Sequence, residues 1–256
     1  MIKVISGHGG PGGSTVAFNN LVNLFNKNGM EACLYTHTKW EGINCEWKNV
    51  SECRLDEDDV CIYHYSNITE RPKVKKLILS CHETTIFPLK EHSSMVWDSL
   101  HYVSESQKEW QGVDGVVIPN IVTKYNKKDK DRKVAGVIGS IDRNKRSHLS
   151  IERALKDGHD DIRLYGAITD GQYFQKEILP LLDNKVSYRG IFSDMQEVYD
   201  VVTDVYHSPV LETFNLVKPE CMYAGVEYHG HEGNDTKAEY WDDDKVYEAW
   251  KNLIST

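Results

Sequence analysis

Two segments of the 256-residue chain carry residue types that could bind a phosphorylated ligand. One is the glycine-rich loop Gly7-His-Gly-Gly-Pro-Gly-Gly13, between an apolar strand and an amphipathic helix. The other is Glu212-Thr-Phe-Asn-Leu-Val-Lys-Pro-Glu220, in which seven residues separate two carboxylates. A turn that leads into a helix offers backbone N–H groups to an anion, and flanking carboxylates accept hydrogen bonds from hydroxyl groups. The second segment therefore favours a ligand with an anion between hydroxyls, as in a nucleotide sugar.

The glycine loop is compatible with more than one role. Residues 7–12 satisfy G-x-G-x-x-G, but the next strand ends in Tyr35-Thr-His-Thr38, without the carboxylate that holds a ribose in dinucleotide sites. The loop also looks like an ATPase phosphate loop, but Gly13 replaces the lysine that such a loop requires. These departures disfavour NAD binding and ATP hydrolysis. A loop shaped around a sugar or diphosphate and a purely conformational turn stay open.

Strand and helix patterns alternate along the chain, which predicts an α/β fold. The first series predicts strands at 2–6, 31–36, 59–63, 76–80, 101–104 and 115–118, with a helix from Ser14 or Thr15 to Asn28. The second predicts strands at 134–138, 162–165, 186–188 and 205–207, and helices at 147–156, 173–179, 194–201 and from Lys218. A lysine-rich segment, 123–133, separates the two series.

This pattern predicts two Rossmann-like βα domains that face each other across a cleft. We place the first domain at residues 1–122 and the second at residues 123–256. The last helix, at 241–254, can pack back on the first domain.

Composition and charge exclude several classes of protein. Hydrophobic residues make up 40% and charged residues 27%, as in a folded globular protein. No apolar run approaches the roughly 20 residues that span a bilayer, and no signal peptide is apparent, so we expect a cytoplasmic protein without stable membrane insertion. The net charge of −9 disfavours broad nucleic-acid binding, although residues 121–150 carry a local balance of +6 and residues 227–248 one of −6. The basic stretch is either a solvated linker or an attractor for phosphate.

No pattern predicts a metal site. The six cysteines show no C-x-x-C spacing, which a zinc ribbon would need. Asp242-Asp-Asp244 is better explained as a solvated helix face, because consecutive helical residues point in different directions. His64 and His207 follow strands, at the edge where α/β proteins bind ligands, but packing is the simpler explanation for both.

The second half carries three motifs that resemble those of family 4 of the retaining GT-B glycosyltransferases. Glu212–Glu220 matches the family's E-x-F-G-L-x-x-x-E apart from its glycine. Glu220–Gly225 looks like the family's E-A-M-A-x-G. Gly139-Ser-Ile-Asp-Arg-Asn-Lys145 resembles G-R-L-x-x-x-K and, as in the family, precedes a helix.

The first half adds two similarities in the family's order. Tyr102-Val-Ser104 through Val117-Ile-Pro-Asn120 is similar to a family strand followed by V-I-P-N-G. Gly9–Gly13 and His82 look like the family's glycine loop and the histidine after a buried strand. The chain is short for this family, a feature that fits a viral or phage enzyme.

The chain departs from the family pattern at two positions of the expected donor site. Ser140 replaces an arginine that contacts the diphosphate, and Arg143 or Arg146 could substitute for it. Asn215 replaces a glycine, which we expect to be tolerated because asparagine also adopts left-handed backbone conformations.

The resemblance implies a role for each matched residue. Glu220 would hold the ribose hydroxyls as an ionised carboxylate, and Lys145 would neutralise the leaving diphosphate. His82 and Glu212 would be the catalytic residues beside the transferred sugar. The other donor-binding residues implied are Gly12, Gly13, Gly139, Ser140, Arg143, Phe214, Asn215 and Leu216.

We therefore expect a hexosyl- or pentosyltransferase that uses a nucleoside diphosphate sugar with retention of configuration. It would need neither metal nor cofactor, and a UDP-sugar is favoured over a GDP-sugar. The acceptor would be a saccharide or another small molecule, or a modified DNA base if a phage encodes the chain. Two alternatives stay open: a nucleotide-sugar-binding protein without catalysis, and a degenerate P-loop nucleotide hydrolase.

Overall fold

The computed structural model describes residues 1–64, 68, 70–83, 97–231 and 238–256. The chain divides into two compact units, Met1–Ile121 with Thr236–Thr256, and Val122–Asp235. Within the described ranges, no helix combines the length and the apolar character needed to cross a bilayer. Each unit is built on one parallel β-sheet with helices. The predicted α/β architecture with two Rossmann-like units is therefore confirmed.

The two units contain twelve strands and seven α-helices among the residues that the structure describes. The strands are β1 (Ile2–Ser6), β2 (Ala32–Thr36), β3 (Trp47–Asn49), β4 (Val60–His64), β5 (Lys76–Cys81), β6 (Ser99–Tyr102), β7 (Val116–Val117), β8 (Ala135–Ile138), β9 (Ile162–Tyr165), β10 (Val186–Gly190), β11 (Asp204–Tyr206) and β12 (Glu227–His229). The helices are α1 (Gly13–Lys27), α2 (Glu105–Gln111), α3 (Ser147–Lys156), α4 (Gly171–Tyr173), α5 (Met195–Tyr199), α6 (Val217–Ala224) and α7 (Asp243–Ser255).

The two sheets share one topological feature. The first has the order β3-β2-β1-β4-β5-β6-β7 and the second the order β10-β9-β8-β11-β12. In each sheet, the chain builds outward on one side of a central strand (β1 or β8) and then crosses to its other side (β4 or β11). In open parallel sheets, ligands bind at the carboxyl ends of the strands beside such a switch point.

The core of the first unit includes the last helix. Phe18 and Phe25 of α1 are buried against the sheet. Trp250 of α7 is 2% exposed and joins the same cluster. Its ring meets Phe25 edge-on, with 6.1 Å between centroids, and lies 4.4 Å from the ring of His101. The end of the chain is therefore part of the hydrophobic core of the first unit.

The second unit buries both faces of its sheet. On one face, residues of α3 and the strands form a cluster that includes Ile151, Ile162 and Leu164. On the other face, Tyr199 and Cys221 pack from α5 and α6 against the sheet. Strands buried on both faces have continuous apolar sequences, which is why the sequence predicts β8 and β9 well.

The elements differ from the predicted ones in two instructive places. Ser104 ends no strand: its hydroxyl accepts a hydrogen bond from the amide of Gln107 at 3.2 Å and caps α2. The predicted helix at 173–179 is not a regular α-helix. After α4 the chain continues as a π-helix at Phe174–Ile178 and a 3₁₀ turn at Leu179–Leu181. Pro180 cannot donate the amide hydrogen bond of a continuing α-helix.

Because Trp250 lies in the core of the first unit, Trp250→Ala should lower the free energy of unfolding by about 3–5 kcal/mol. Trp110→Ala is the matched control, since Trp110 is 41% exposed, and it should change stability by less than about 0.5 kcal/mol. Urea denaturation followed by circular dichroism measures both. Equal losses for the two variants would show that α7 is not part of this core.

Candidate functional site

The candidate site of the second unit lies at the carboxyl ends of β8 and β11. These strands are parallel neighbours, and the chain changes sides of the sheet between them. Residues 139–146 follow β8, and residues 207–216 follow β11 and lead into α6. Both segments singled out in this half of the sequence therefore meet at the switch point, where ligands bind in open parallel sheets.

Hydrogen bonds join the two loops. The guanidinium of Arg146 donates to the carbonyl oxygens of Ser208 and Pro209, each at 2.8 Å. The Asn144 side chain donates to the carbonyl of Leu211 at 3.0 Å and accepts from the amide of the same residue at 3.2 Å. Arg146, one of the two residues expected to substitute for the family's arginine, thus uses its guanidinium to bind the backbone of the loop after β11.

Asp142 organises the loop after β8. Its carboxylate accepts hydrogen bonds from the hydroxyl of Ser140 at 2.6 Å and from the backbone amide of Lys145 at 2.8 Å. The hydroxyl of Thr169 donates to it at 3.1 Å. Asp142 carries no recognisable sequence signal beyond its place in the segment Gly139–Lys145. Arg143, the other proposed substitute, is ion-paired with Asp170 at 2.8 Å.

The backbone of Gly139 adopts a conformation that favours glycine, with φ at +136°. The next strand approaches it closely: a Cβ atom on Gly166 would lie 1.8 Å from the carbonyl oxygen of Gly139. Lys145 passes on the other side, with its Cε 3.7 Å from the position of a Cβ on Gly139. The first residue of the predicted motif is thus placed beside its last.

Lys145 and Glu212 form an ion pair between the two loops. The Glu212 side chain is 10% exposed and that of Lys145 23%. The Nε2 atom of His207 lies 3.3 Å from a carboxylate oxygen of Glu212. Burial, together with the charge of Lys145, lowers the pKa of His207 to about 3, so this imidazole is neutral at pH 7. Lys145 is therefore the cation that compensates Glu212.

Three donor-site candidates lie between the two glutamates in the sequence. Phe214 and Asn215 are buried, and Leu216 is half-buried. The Asn215 side chain donates to the hydroxyl of Tyr228 at 2.6 Å and accepts from the amide of Lys218 at 3.3 Å. Among the described non-glycine residues only Arg146 has a positive φ, so the expected left-handed Asn215 is wrong. Asparagine is instead accommodated through its side chain, which binds both the Tyr228 hydroxyl and a backbone amide in the first turn of α6.

Glu220 lies in the first turn of α6 and is 6% exposed. The hydroxyl of Tyr199 donates to its carboxylate at 2.9 Å, and the ring of Tyr125 lies 4.8 Å from that of Tyr199. Burial raises the pKa of Glu220 to about 8, although the hydrogen bond from Tyr199 acts in the opposite direction. The carboxyl is therefore mostly protonated at neutral pH without a ligand, in contrast to the ionised group assumed from the sequence.

The glycine loop follows β1, next to the switch point of the first sheet. Gly9 is required by packing, because a Cβ there would lie 1.9 Å from the carbonyl oxygen of Thr38. Among the residues that the structure describes, no atom lies within 4 Å of the position of a Cβ on Gly7, Gly10 or Gly12. Packing against the described part of the chain therefore does not explain these three glycines. Gly13 begins α1, at the place where a P-loop would have its lysine.

His82 follows β5 in the same unit and belongs to a hydrogen-bond relay. Its Nε2 lies 3.1 Å from the hydroxyl oxygen of Ser80, which lies 2.8 Å from Nδ1 of His101. The Nε2 of His101 donates to the carbonyl of Ile118 at 2.8 Å. Burial lowers the pKa of His101 to about 4, so its Nδ1 is an acceptor for Ser80. The Ser80 oxygen must then accept from His82, which fixes the Nε2–H tautomer of that ring.

The surroundings of His82 keep its imidazole neutral. Burial, with the neighbouring His64 and His101, lowers its pKa well below the usual value. The ring of Phe18 packs on it with 4.7 Å between centroids. His64, read from the sequence as a packing residue, donates through Nε2 to Glu83 at 2.8 Å. The sequence pointed to His82, but Ser80 and His101 carried no recognisable signal.

The predicted residues thus form two groups. Gly139, Ser140, Lys145 and the segment Glu212–Glu220 come together at the switch point of the second sheet, with Arg143 on its exposed side. Gly12, Gly13 and His82 belong to the first unit.

Solved structures share the fold of the whole chain. AviGT4, a glycosyltransferase involved in avilamycin A biosynthesis, has a TM-score of 0.66 at 15% identity, covering 99% of this chain and 93% of that one. HepE of Anabaena in complex with UDP-glucose has a TM-score of 0.65 at 13% identity, covering 99% of this chain and 90% of that one. WaaG, a glycosyltransferase involved in lipopolysaccharide biosynthesis, has a TM-score of 0.63 at 11% identity, covering 100% of this chain and 91% of that one.

No protein-family model matches the sequence. No curated protein matches it either. The likeness to these GT-B glycosyltransferases therefore rests on the fold. The alternation of strands and helices predicted an α/β fold with parallel sheets, and the sequence motifs implied the GT-B class. The structure has this fold.

Proposed function

We propose that the chain is a glycosyltransferase that takes its sugar from a nucleoside diphosphate sugar bound to the second unit. The observation that carries the proposal is the placement of Lys145, Glu212 and Glu220 around the switch point of the second sheet. A cation, the start of a helix and two carboxyl groups match the three parts of such a donor. The fold shared with the UDP-glucose complex of HepE supports this assignment.

Each part of the donor has a partner in this proposal. The ribose hydroxyls form hydrogen bonds with the carboxyl of Glu220. The diphosphate binds Lys145 and the amide groups at the start of α6. The transferred sugar lies beside Glu212. The catalytic role of His82 and the donor-binding roles of Gly12 and Gly13 stay predictions.

Lys145 would also serve the chemical step. Negative charge develops on the diphosphate as the glycosidic bond breaks, and a fixed cation stabilises that charge most when it is greatest. The neighbouring His207 is neutral at pH 7, so it does not compete with Lys145 for the anion. On this basis we propose transfer without a metal ion and, from the family resemblance, with retention of configuration and a preference for UDP. Hexosyl and pentosyl donors both stay open.

The proposal is tested with the pure chain, a panel of nucleotides and one donor. UDP at a hundred times its Kd should stabilise the chain by about 2.7 kcal/mol in thermal unfolding, more than GDP or ADP at the same concentration. With UDP-glucose, release of UDP should continue in excess EDTA. Stabilisation without any release would favour a binding protein that lacks catalysis. Loss of release in EDTA with recovery in Mn²⁺ would contradict a metal-free mechanism, and magnesium-dependent ATP hydrolysis would favour the P-loop alternative.

Substitutions at the two glutamates should have different effects. Glu220→Ala should weaken UDP and UDP-glucose roughly tenfold to a hundredfold, because both contain the ribose. Glu212→Ala should weaken UDP-glucose but not UDP, since it leaves Lys145 available to the diphosphate. Titration calorimetry of both ligands gives four affinities. Glu177→Ala, at an exposed position of the same unit, is the control. Unchanged UDP affinity in Glu220→Ala would refute the ribose assignment.

The burial of Glu220 predicts a pH dependence of stability. Its folded pKa of about 8 lies above the ordinary value of 4.5, so between these values only the unfolded chain releases the proton, and stability falls as pH rises. Glu220→Gln removes this contribution. The free energy of unfolding of the variant, relative to the wild type, should therefore increase by about 1.4 kcal/mol per pH unit between pH 5 and 8. Urea denaturation at each pH measures this difference. A difference that stays constant between pH 5 and 8 would show that Glu220 is ionised in the folded chain.

A further inference from the structure

A second cluster of ligating side chains lies on the second sheet, on strands β11 and β12. One ligand atom from each of Asp204, Glu227 and His229 lies within 4.8 Å of the others. The Nε2 of His159, from the turn before β9, lies 3.9 Å from Oδ2 of Asp204. None of these four residues contributes to the donor site proposed above. The three mutually close side chains are one imidazole and two carboxylates.

The strand pairing places these side chains on one face of the sheet. Asp204 is in register with Glu227, and Tyr206 with His229. Because side chains alternate along a strand, Glu227 and His229 share a face of β12. The His229 ring stacks on Tyr206, with 4.4 Å between centroids and 11° between planes. The guanidinium of Arg153 donates to the carbonyl of Gly230 at 2.9 Å, which holds the chain just after β12.

The separations suit one small cation. Nε2 of His229 lies 3.0 Å from Oδ1 of Asp204 and 3.9 Å from Oε1 of Glu227. Two ligands of a tetrahedral zinc ion are about 3.4 Å apart, given bonds of 2.0–2.1 Å. A metal ion would take the place of the proton that His229 and Asp204 now share. The hydroxyl of Thr203 donates to Oδ2 of Asp204 at 2.6 Å and so orients this carboxylate.

His159 borders the cluster without joining it. Its side chain is only 7% exposed, and its ring packs against Tyr206 with 5.6 Å between centroids, the same tyrosine that supports His229. Its Nε2 lies 3.9 Å from Oδ2 of Asp204, the oxygen that also accepts from Thr203. His159 and Thr203 therefore lie beside the second oxygen of Asp204 and leave Oδ1 to the ion.

We propose that Asp204, Glu227 and His229 bind a divalent transition-metal ion of the zinc type. Mixed imidazole and carboxylate ligands favour such an ion over magnesium or calcium, which prefer oxygen ligands alone. The two carboxylates neutralise its charge. The ion joins the three-residue edge strand β12 to β11, so its role is to stabilise the second unit. Sequence patterns gave no sign of this site, because 25 positions separate Asp204 from His229.

The test uses the full chain after EDTA treatment and desalting, with Zn²⁺ in calorimetry and Co²⁺ in visible absorption. The wild type should bind one equivalent of Zn²⁺, show the d–d bands of cobalt in a nitrogen and oxygen site, and melt at a higher temperature with Zn²⁺. His229→Gln and Asp204→Asn should lower the affinity for Zn²⁺ at least about tenfold, because loss of a direct ligand exceeds the effect of an outer-shell change. UDP affinity should not change.

Two further variants guard against misfolding and adventitious binding. His231→Ala removes an exposed histidine two positions beyond the site and should bind Zn²⁺ as the wild type does. Glu227→Gln changes a side chain that is 72% exposed, so the chain should fold normally and yet bind Zn²⁺ more weakly. Absence of Zn²⁺ binding by the wild type would overturn the proposal. Equal affinities in the wild type, His229→Gln and Glu227→Gln would overturn it as well.

Discussion

The parallel pairing of β8 with β11 is the constraint on which the proposed donor site depends. Asp204 is in register with Ala135 and Val205 with Gly136. At Gly136 the packing is tight, since a Cβ there would lie 3.0 Å from a methyl group of Val202. Because the two strands run in the same direction, the loops that follow them emerge at one edge of the sheet. Residues 67 positions apart, Lys145 and Glu212, thereby become an ion pair.

The charges around the switch point of the second sheet are balanced. Lys145 compensates Glu212, while burial keeps His207 neutral and Glu220 mostly protonated at pH 7. An uncompensated buried charge would cost several kcal/mol, so this balance stabilises the second unit. In the proposed function, a diphosphate would replace Glu212 as the partner of Lys145. Glu212 would then be available to the hydroxyls of the sugar, so that diphosphate binding and sugar binding are linked.

Much of the fold could be predicted from local sequence, but less of the site. Apolar runs locate the buried strands, and the segment Glu212–Glu220 stands out by its residue types. The edge strands β3 and β12 have three residues each and are partly exposed, so they lack a readable pattern. The protonation of Glu220 depends on Tyr199, which comes from another helix. The orientation of His82 likewise depends on His101, through a serine hydroxyl that only the pairing of β5 with β6 brings into place.

A crystal structure of the chain grown with UDP tests the central claim most directly. The account predicts ribose hydroxyls within hydrogen-bond distance of the Glu220 carboxylate and diphosphate oxygens beside the ammonium group of Lys145. It also predicts that the ion pair between Lys145 and Glu212 is broken in that complex. A diphosphate bound away from Lys145, or a ribose without contact to Glu220, would contradict the account.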